Sequence, residues 1–234
     1  MNHFVFSAFL AFITTGLTGT FFLFKRTKKS RLFGTYWLSI AFWSSTVAFQ
    51  SFLLKIMPDY VWGWLLHLGC LFIPVLFYHF AVLYSGRRDD NSYLVAGYLL
   101  TAIFLIFNTF TDLFTKGISY RDKYAYPTPS LFYISYFLCF ITMLIRGTWL
   151  MLKPYRHIPI QLRNWLYAFI LFHSIAYMGG MDNFLIMADI RLHPLYPYGL
   201  YAVVPYALIG AYVIPKVEGL KPIIVQIHKR KFSR

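Results

Sequence analysis

Long apolar runs recur along the whole chain, each closed by a short polar or basic stretch. A bilayer core of about 30 Å takes about 20 mostly apolar residues in a helix. Seven runs meet that length and predict helices over about 4–24, 32–54, 61–84, 92–114, 131–152, 165–187 and 195–214. The longest loop, 115–130, falls between the fourth and fifth, and residues 215–234 make a tail. The expected fold class is therefore all-α, a polytopic membrane protein built as a seven-transmembrane helix bundle over residues 1–214.

The third run carries two histidines, His67 and His79. Twelve residues separate them, which is about 18 Å along a helix and about 120° around it. They cannot share one small site on that helix, so each needs partners from other helices.

Composition strengthens the membrane reading. The 234 residues are 59% hydrophobic and 13% charged, where a soluble domain has about 25% charged residues. The net charge of +14 would suit nucleic acid, but its distribution does not. Sixteen of the 22 Lys and Arg residues lie in the tail and in the loops after helices one, three and five. Five lie on the other side, and Arg146 lies within a span. The positive-inside rule then puts the N-terminus outside and the C-terminus in the cytoplasm. The basic residues orient the chain and attract anionic lipid, and no nucleic acid partner is expected. The N-terminal run lacks the basic leader of a cleavable signal, which predicts a retained first helix. Cys70 and Cys139 sit in apolar runs and form neither a disulfide framework nor a metal motif. Aromatic residues at run ends, among them Tyr60, Trp62, Trp64, Tyr84, Tyr93, Tyr155, Trp165, Tyr196 and Tyr198, read mostly as an interfacial belt.

Polar groups inside spans are costly and usually face the bundle interior. By depth they fall into two layers. The outer one holds Gln50, His67, Asn108, Asp112, Asp182 and Asn183; the inner one holds His79, His173 and Arg146. Each has a plain reading as an interhelical hydrogen-bond partner, worth on average about 0.6 kcal/mol. The functional reading of the outer layer is a ligand site made by His67, Asp182, Asn183, Gln50 and Asn108. His67 and Asp182 are matched in depth, and a carboxylate beside an imidazole suits a polar or cationic head group. Gly179 and Gly180 allow helix six to bend, and Pro197, Gly199 and Pro205 should kink helix seven. In the inner layer, two histidines on facing helices are one way to hold a b-type haem. Templates for proteases, hydrolases, phosphate loops and acidic metal clusters are missing.

The stretch LHLGCLFIPVLFYHFAVLYSGRR resembles the signature helix of the N-terminal seven-transmembrane sensory region of bacterial histidine kinases. LFTKGISY with PTPSLFYISYF is similar to that family's fourth loop and fifth helix. RNWLYAFILFHSIAYMGGMDNFLIMADIRLHPLYPYG resembles its sixth helix and the start of the seventh, and AFWSSTVAFQSF falls in helix two. The resemblance implies a membrane receiver that signals to a cytoplasmic partner, and it supplies no ligand. One departure stands out: Pro215, Gly219 and Pro222 follow the last span, where family members continue a signalling helix. That predicts a stand-alone module whose tail docks on lipid or on a partner instead of transmitting through a continuous helix.

The expected function is a non-enzymatic inner-membrane sensor for a small or lipid-like ligand, without a cofactor. A structural or accessory subunit of a larger membrane complex is the alternative, and a haem-carrying redox subunit the third reading.

Overall fold

A computed structural model describes residues 3–86, 90–121, 124–152, 159–187 and 199–232; the side chains of 4, 121, 124, 179–187 and 218–232 are outside that description. The helices are α1 (His3–Leu23), α2 (Lys28–Ala48), α3 (Gln50–Ile56), α4 (Asp59–Ser85), α5 (Asn91–Phe110), α6 (Tyr133–Leu152), α7 (Ile160–Met187) and α8 (Gly199–Phe232). Two strands, β1 (Thr115–Arg121) and β2 (Tyr124–Pro129), stand between α5 and α6. The chain is an all-α polytopic bundle with one small hairpin. Among the described residues five helices are long and apolar enough to cross a bilayer, or six if the bent α2–α3 pair is counted as one span.

α4 occupies the centre and touches α2, α5, α6 and β1. Its sequence has little polar face to spare, so burial on several sides is what it needs. Small residues set the close approaches. A Cβ on Gly34 would lie 2.7 Å from the Gly19 carbonyl oxygen and 2.8 Å from the Leu23 amide, so α1 and α2 pack backbone to backbone. α7 packs on α8, and α8 returns to α1. The core between them is aromatic: Phe33 stacks on Phe80 at 4.3 Å, and Trp37 lies 4.6 Å from Tyr206. Pro74 sits inside α4. It has no amide to give to the carbonyl four residues back, and the Tyr136 hydroxyl supplies that bond to the Cys70 carbonyl at 3.0 Å.

Four expectations need correction. The second span, expected over 32–54, is broken at Phe49, where α2 and α3 meet at a bend of 72°. Neither glycine nor proline marks that point. The Phe49 amide closes α2 on the Ser45 and Val47 carbonyls. Next to it the buried Gln50 side chain leaves the helix axis to donate to the Ala125 carbonyl at 2.7 Å. The expected loop 115–130 is largely an antiparallel hairpin pairing Ser119 with Tyr126 and Tyr120 with Ala125. Its register slips between Thr115 and Ile118, where Gly117 takes φ 108°, a conformation that favours glycine. Trp62 and Tyr84, read as interfacial, are fully buried. Finally, α8 does not stop near 214: it continues through Pro215 and Pro222 to Phe232. A proline disfavours the helical conformation of its predecessor without forbidding it.

Candidate functional site

The polar residues of the spans separate into local groups. His67 is buried on α4. A carbonyl only accepts, so His67 Nδ1–H donates to the Gly63 carbonyl at 2.9 Å. That leaves Nε2 to accept the Tyr133 hydroxyl proton at 3.2 Å. Phe114 and Tyr133 meet the ring edge to face. Both nitrogens are satisfied by neighbours, which corrects the expectation of a ligand-facing imidazole. Gln50 is also a fastener, clamping the hairpin to the α2–α3 break. Asp182 and Asn183 continue the α7 backbone, and their side chains lie outside the described residues.

Asn108 is different. Its amide oxygen and nitrogen are enclosed, with no hydrogen-bond partner among the described residues. It stands on the wall of a cavity of about 780 Å³ at the hairpin end, between α4, α5 and β1. Asp112 and Lys116 contribute charges of opposite sign to the same cavity, and Tyr60 and Trp64 contribute rings. Trp64 is braced by its indole N–H, which donates to Thr109 at 3.0 Å. The hairpin closes one side through Thr115–Ile118. It is held down at two points, by Gln50 and by the Tyr120 hydroxyl, which donates to Asp59 at 2.9 Å. That bond to the Asp59 carboxylate pushes the Tyr120 phenol above its ordinary range.

The expected inner cluster does not form as one group. His79 Nδ1 pairs with the Tyr98 hydroxyl on α5 at 2.8 Å. Phe77, two residues earlier on the opposite side of α4, stacks on His173 at 4.3 Å. His79 and His173 therefore face different seams, and the two-histidine arrangement that a haem needs is not made by them. Arg146 belongs to a third group. Its guanidinium pairs with the buried Asp90, Nε lying 3.1 Å from the carboxylate and 3.1 Å from the Tyr78 hydroxyl. The Tyr93 ring lies 3.9 Å beneath it. This clasp joins α4, α5 and α6 at the basic end.

His173 is the hub of a larger array. Its Nε2 lies 3.2 Å from Thr148 Oγ1 on α6, and its Nδ1 lies 3.0 Å from the Tyr206 hydroxyl on α8. Tyr206 continues to Tyr36 on α2 at 2.8 Å, and Tyr36 to Tyr177 on α7 at 2.7 Å. Five side chains from four helices thus form one hydrogen-bonded chain through the aromatic core. Sorting intramembrane groups by charge passes over its three tyrosines and Thr148. The available signal was tyrosine in mid-span, since a buried phenol usually finds a partner. Among the described residues no group of three or more His, Cys, Asp or Glu side chains could hold a metal ion. No protein-family profile, curated protein or solved structure matches this chain.

Proposed function

We propose that the chain is a seven-span, non-enzymatic receiver of the bacterial inner membrane that recognises a small polar ligand at its hairpin end and signals to a cytoplasmic partner. Seven spans require α7, which is 28 residues long, to cross the bilayer as well. The sixteen-to-five split of basic residues favours placing the hairpin outside and the C-terminal end of α8 inside. The resemblance to the sensory region of histidine kinases points the same way.

The observation that carries the reading is Asn108 on the wall of the hairpin-end cavity. An enclosed amide without a partner costs about 1–3 kcal/mol. Turning it toward a ligand gives up no hydrogen bond among the described residues. An amide offers one acceptor and two donors, and Asp112 and Lys116 add one charge of each sign. That set suits a small molecule with both donor and acceptor groups, a zwitterion above all. The volume of about 780 Å³ lies in the range of small-molecule sites. A polar chamber of this kind favours a receiver over an accessory subunit, whose docking needs none.

The route inward begins at the hairpin, which forms one side of the cavity and is gripped by Gln50 at the α2–α3 bend. α2 carries Tyr36, which is bonded to α7 and α8, and α8 runs on to Phe232. Coupling along such a route is a free energy between two sites and is measured as one.

The test is Trp64 fluorescence of the protein in lipid nanodiscs, titrated with amino acids, small carboxylates and quaternary amines. We expect a saturable change with a zwitterionic probe, weakened at least tenfold by Asn108→Leu. Equal binding by that variant, or no saturable response to any probe class, sinks the assignment.

A further inference from the structure

Three residues on the wall of the hairpin-end chamber are aromatic: Tyr60 and Trp64 on α4, and Phe110 at the end of α5. In the core, rings pack on rings, but these three make no ring contact among the described residues. Tyr60 is 71% exposed and Phe110 77%. Trp64 is half-buried, and its N–H bond to Thr109 holds the indole in place. Aromatic side chains gathered on one cavity wall offer a surface for a cation, because the face of a ring is the negative side of its quadrupole.

Two further features set the signs of charge. α5 ends at Phe110, so the negative end of its dipole falls at the chamber. Asp112 and Lys116 share the wall, and neither makes an ion pair among the described residues. Opposite charges that line one cavity without meeting suit a ligand with one charge of each sign. Hydrogen bonding discriminates between kinds of cation. A primary ammonium brings three N–H donors that need acceptors. On this wall the Thr109 hydroxyl already donates to the Leu105 carbonyl at 2.8 Å and accepts the Trp64 N–H. The Thr111 hydroxyl donates to the Phe107 carbonyl at 2.9 Å and accepts the Leu113 amide. A quaternary ammonium carries no N–H and needs neither hydroxyl. It needs aromatic surface and a nearby negative charge, and both are present.

We propose that the ligand of the chamber is a quaternary-ammonium zwitterion, a trimethylammonium group joined to an anion a few atoms away. This assignment rests on the small-ligand reading given above and narrows it. Tyr60, Trp64 and Phe110 take the methylated cation, with Asp112 as its counter-charge. Lys116 and the amide N–H groups of Asn108 take the anion. A free solute and the choline headgroup of a lipid share this chemistry, and the choice of bilayer separates them.

The experiment measures binding of ¹⁴C-labelled trimethylglycine to the full chain in nanodiscs of phosphatidylglycerol, which has no choline. The competitors are glycine, whose ammonium carries N–H donors, and 3,3-dimethylbutanoate, which keeps the shape but puts carbon in place of the charged nitrogen. We expect saturable binding, with both competitors at least tenfold weaker than unlabelled trimethylglycine. Phe110→Leu should weaken binding at least threefold and Phe110→Tyr should restore it; the ring is exposed, so the fold does not depend on it. Asp112→Asn should weaken trimethylglycine more than 3,3-dimethylbutanoate. In phosphatidylcholine nanodiscs, lost binding identifies the headgroup as the source and unchanged binding identifies a free solute; either upholds the class. Glycine as tight as trimethylglycine would overturn the quaternary assignment and leave the zwitterion reading standing. Equal binding of 3,3-dimethylbutanoate, or undiminished binding in Phe110→Leu or Asp112→Asn, would overturn it too. No saturable binding of trimethylglycine where glycine still changes Trp64 fluorescence removes only this inference; no response to either probe removes both.

Discussion

Tyr136→Phe removes the hydroxyl that stands in for the amide missing at Pro74. Tyr136 is 2% exposed and donates to the Cys70 carbonyl at 3.0 Å. Losing that donor leaves an enclosed carbonyl without its bond, a cost of about 1–3 kcal/mol. Measured side-chain bonds between membrane helices average about 0.6 kcal/mol, so the lower half of the range is the sound expectation, about 1–1.5 kcal/mol. In a Pro74→Ala background the new amide reaches the same carbonyl within the helix, and Tyr136→Phe should then cost about 0.5 kcal/mol or less. The coupling between the two sites is therefore about 1 kcal/mol. Reversible unfolding of the four proteins in mixed micelles, by titration with a denaturing detergent, measures it. Equal costs of Tyr136→Phe in both backgrounds, within the ~0.3–0.5 kcal/mol typical of independent sites, would refute the substitution of phenol for amide.

Gly34→Ala should push α1 from α2, because its Cβ meets backbone at 2.7 and 2.8 Å; a loss of about 1–3 kcal/mol in the same assay is expected, and a neutral result would contradict the close packing. Arg146→Leu should destabilise more than Asp90→Asn, since the carboxylate is 2% exposed and the arginine side chain 37%; removing one partner of a buried pair costs about 3–5 kcal/mol, and the reverse order would argue against a buried anion. Tyr120 has a raised pKa from its bond to Asp59, so the contact contributes fully below the free phenol's value of about 10 and is lost as pH rises through the higher folded value. Phenolate absorbance, by difference against Tyr120→Phe, should show one tyrosine titrating late; no late component would remove that hairpin anchor.

Much of the helical layout was legible because a bilayer demands one long apolar run per span, and such runs are hard to miss. The burial of His67 and His173 was legible for the same reason, since an ionisable group in a span turns inward. Their partners were not. Tyr36, Tyr177 and Tyr206 read as apolar bulk, and only the packing of three helices brings their hydroxyls together. Asp90 stood in what read as a connecting segment, yet it is buried against Arg146 because α4 ends at Gly86 and α5 starts at Asn91. The break at Phe49 left no local mark, because its cause is a carbonyl on a strand far along the chain. The hairpin was obscured by its shortness and by flanking residues that suit a loop as well as a strand. Asn108 was legible as a polar residue within an apolar run, but nothing local shows that its amide lacks a partner among the described residues.

That distant carbonyl has a consequence for biogenesis. Gln50 and Ala125 are 75 residues apart in the chain. At a synthesis rate of about 5–20 residues per second, the Gln50 amide waits roughly 4–15 s after its own insertion before its acceptor exists. Throughout that interval α2 and α3 carry a polar side chain whose native acceptor does not yet exist. The bend can become fixed only once the hairpin has been made and has folded back onto Gln50. The final shape of the second span is thus set after translation has moved well past it.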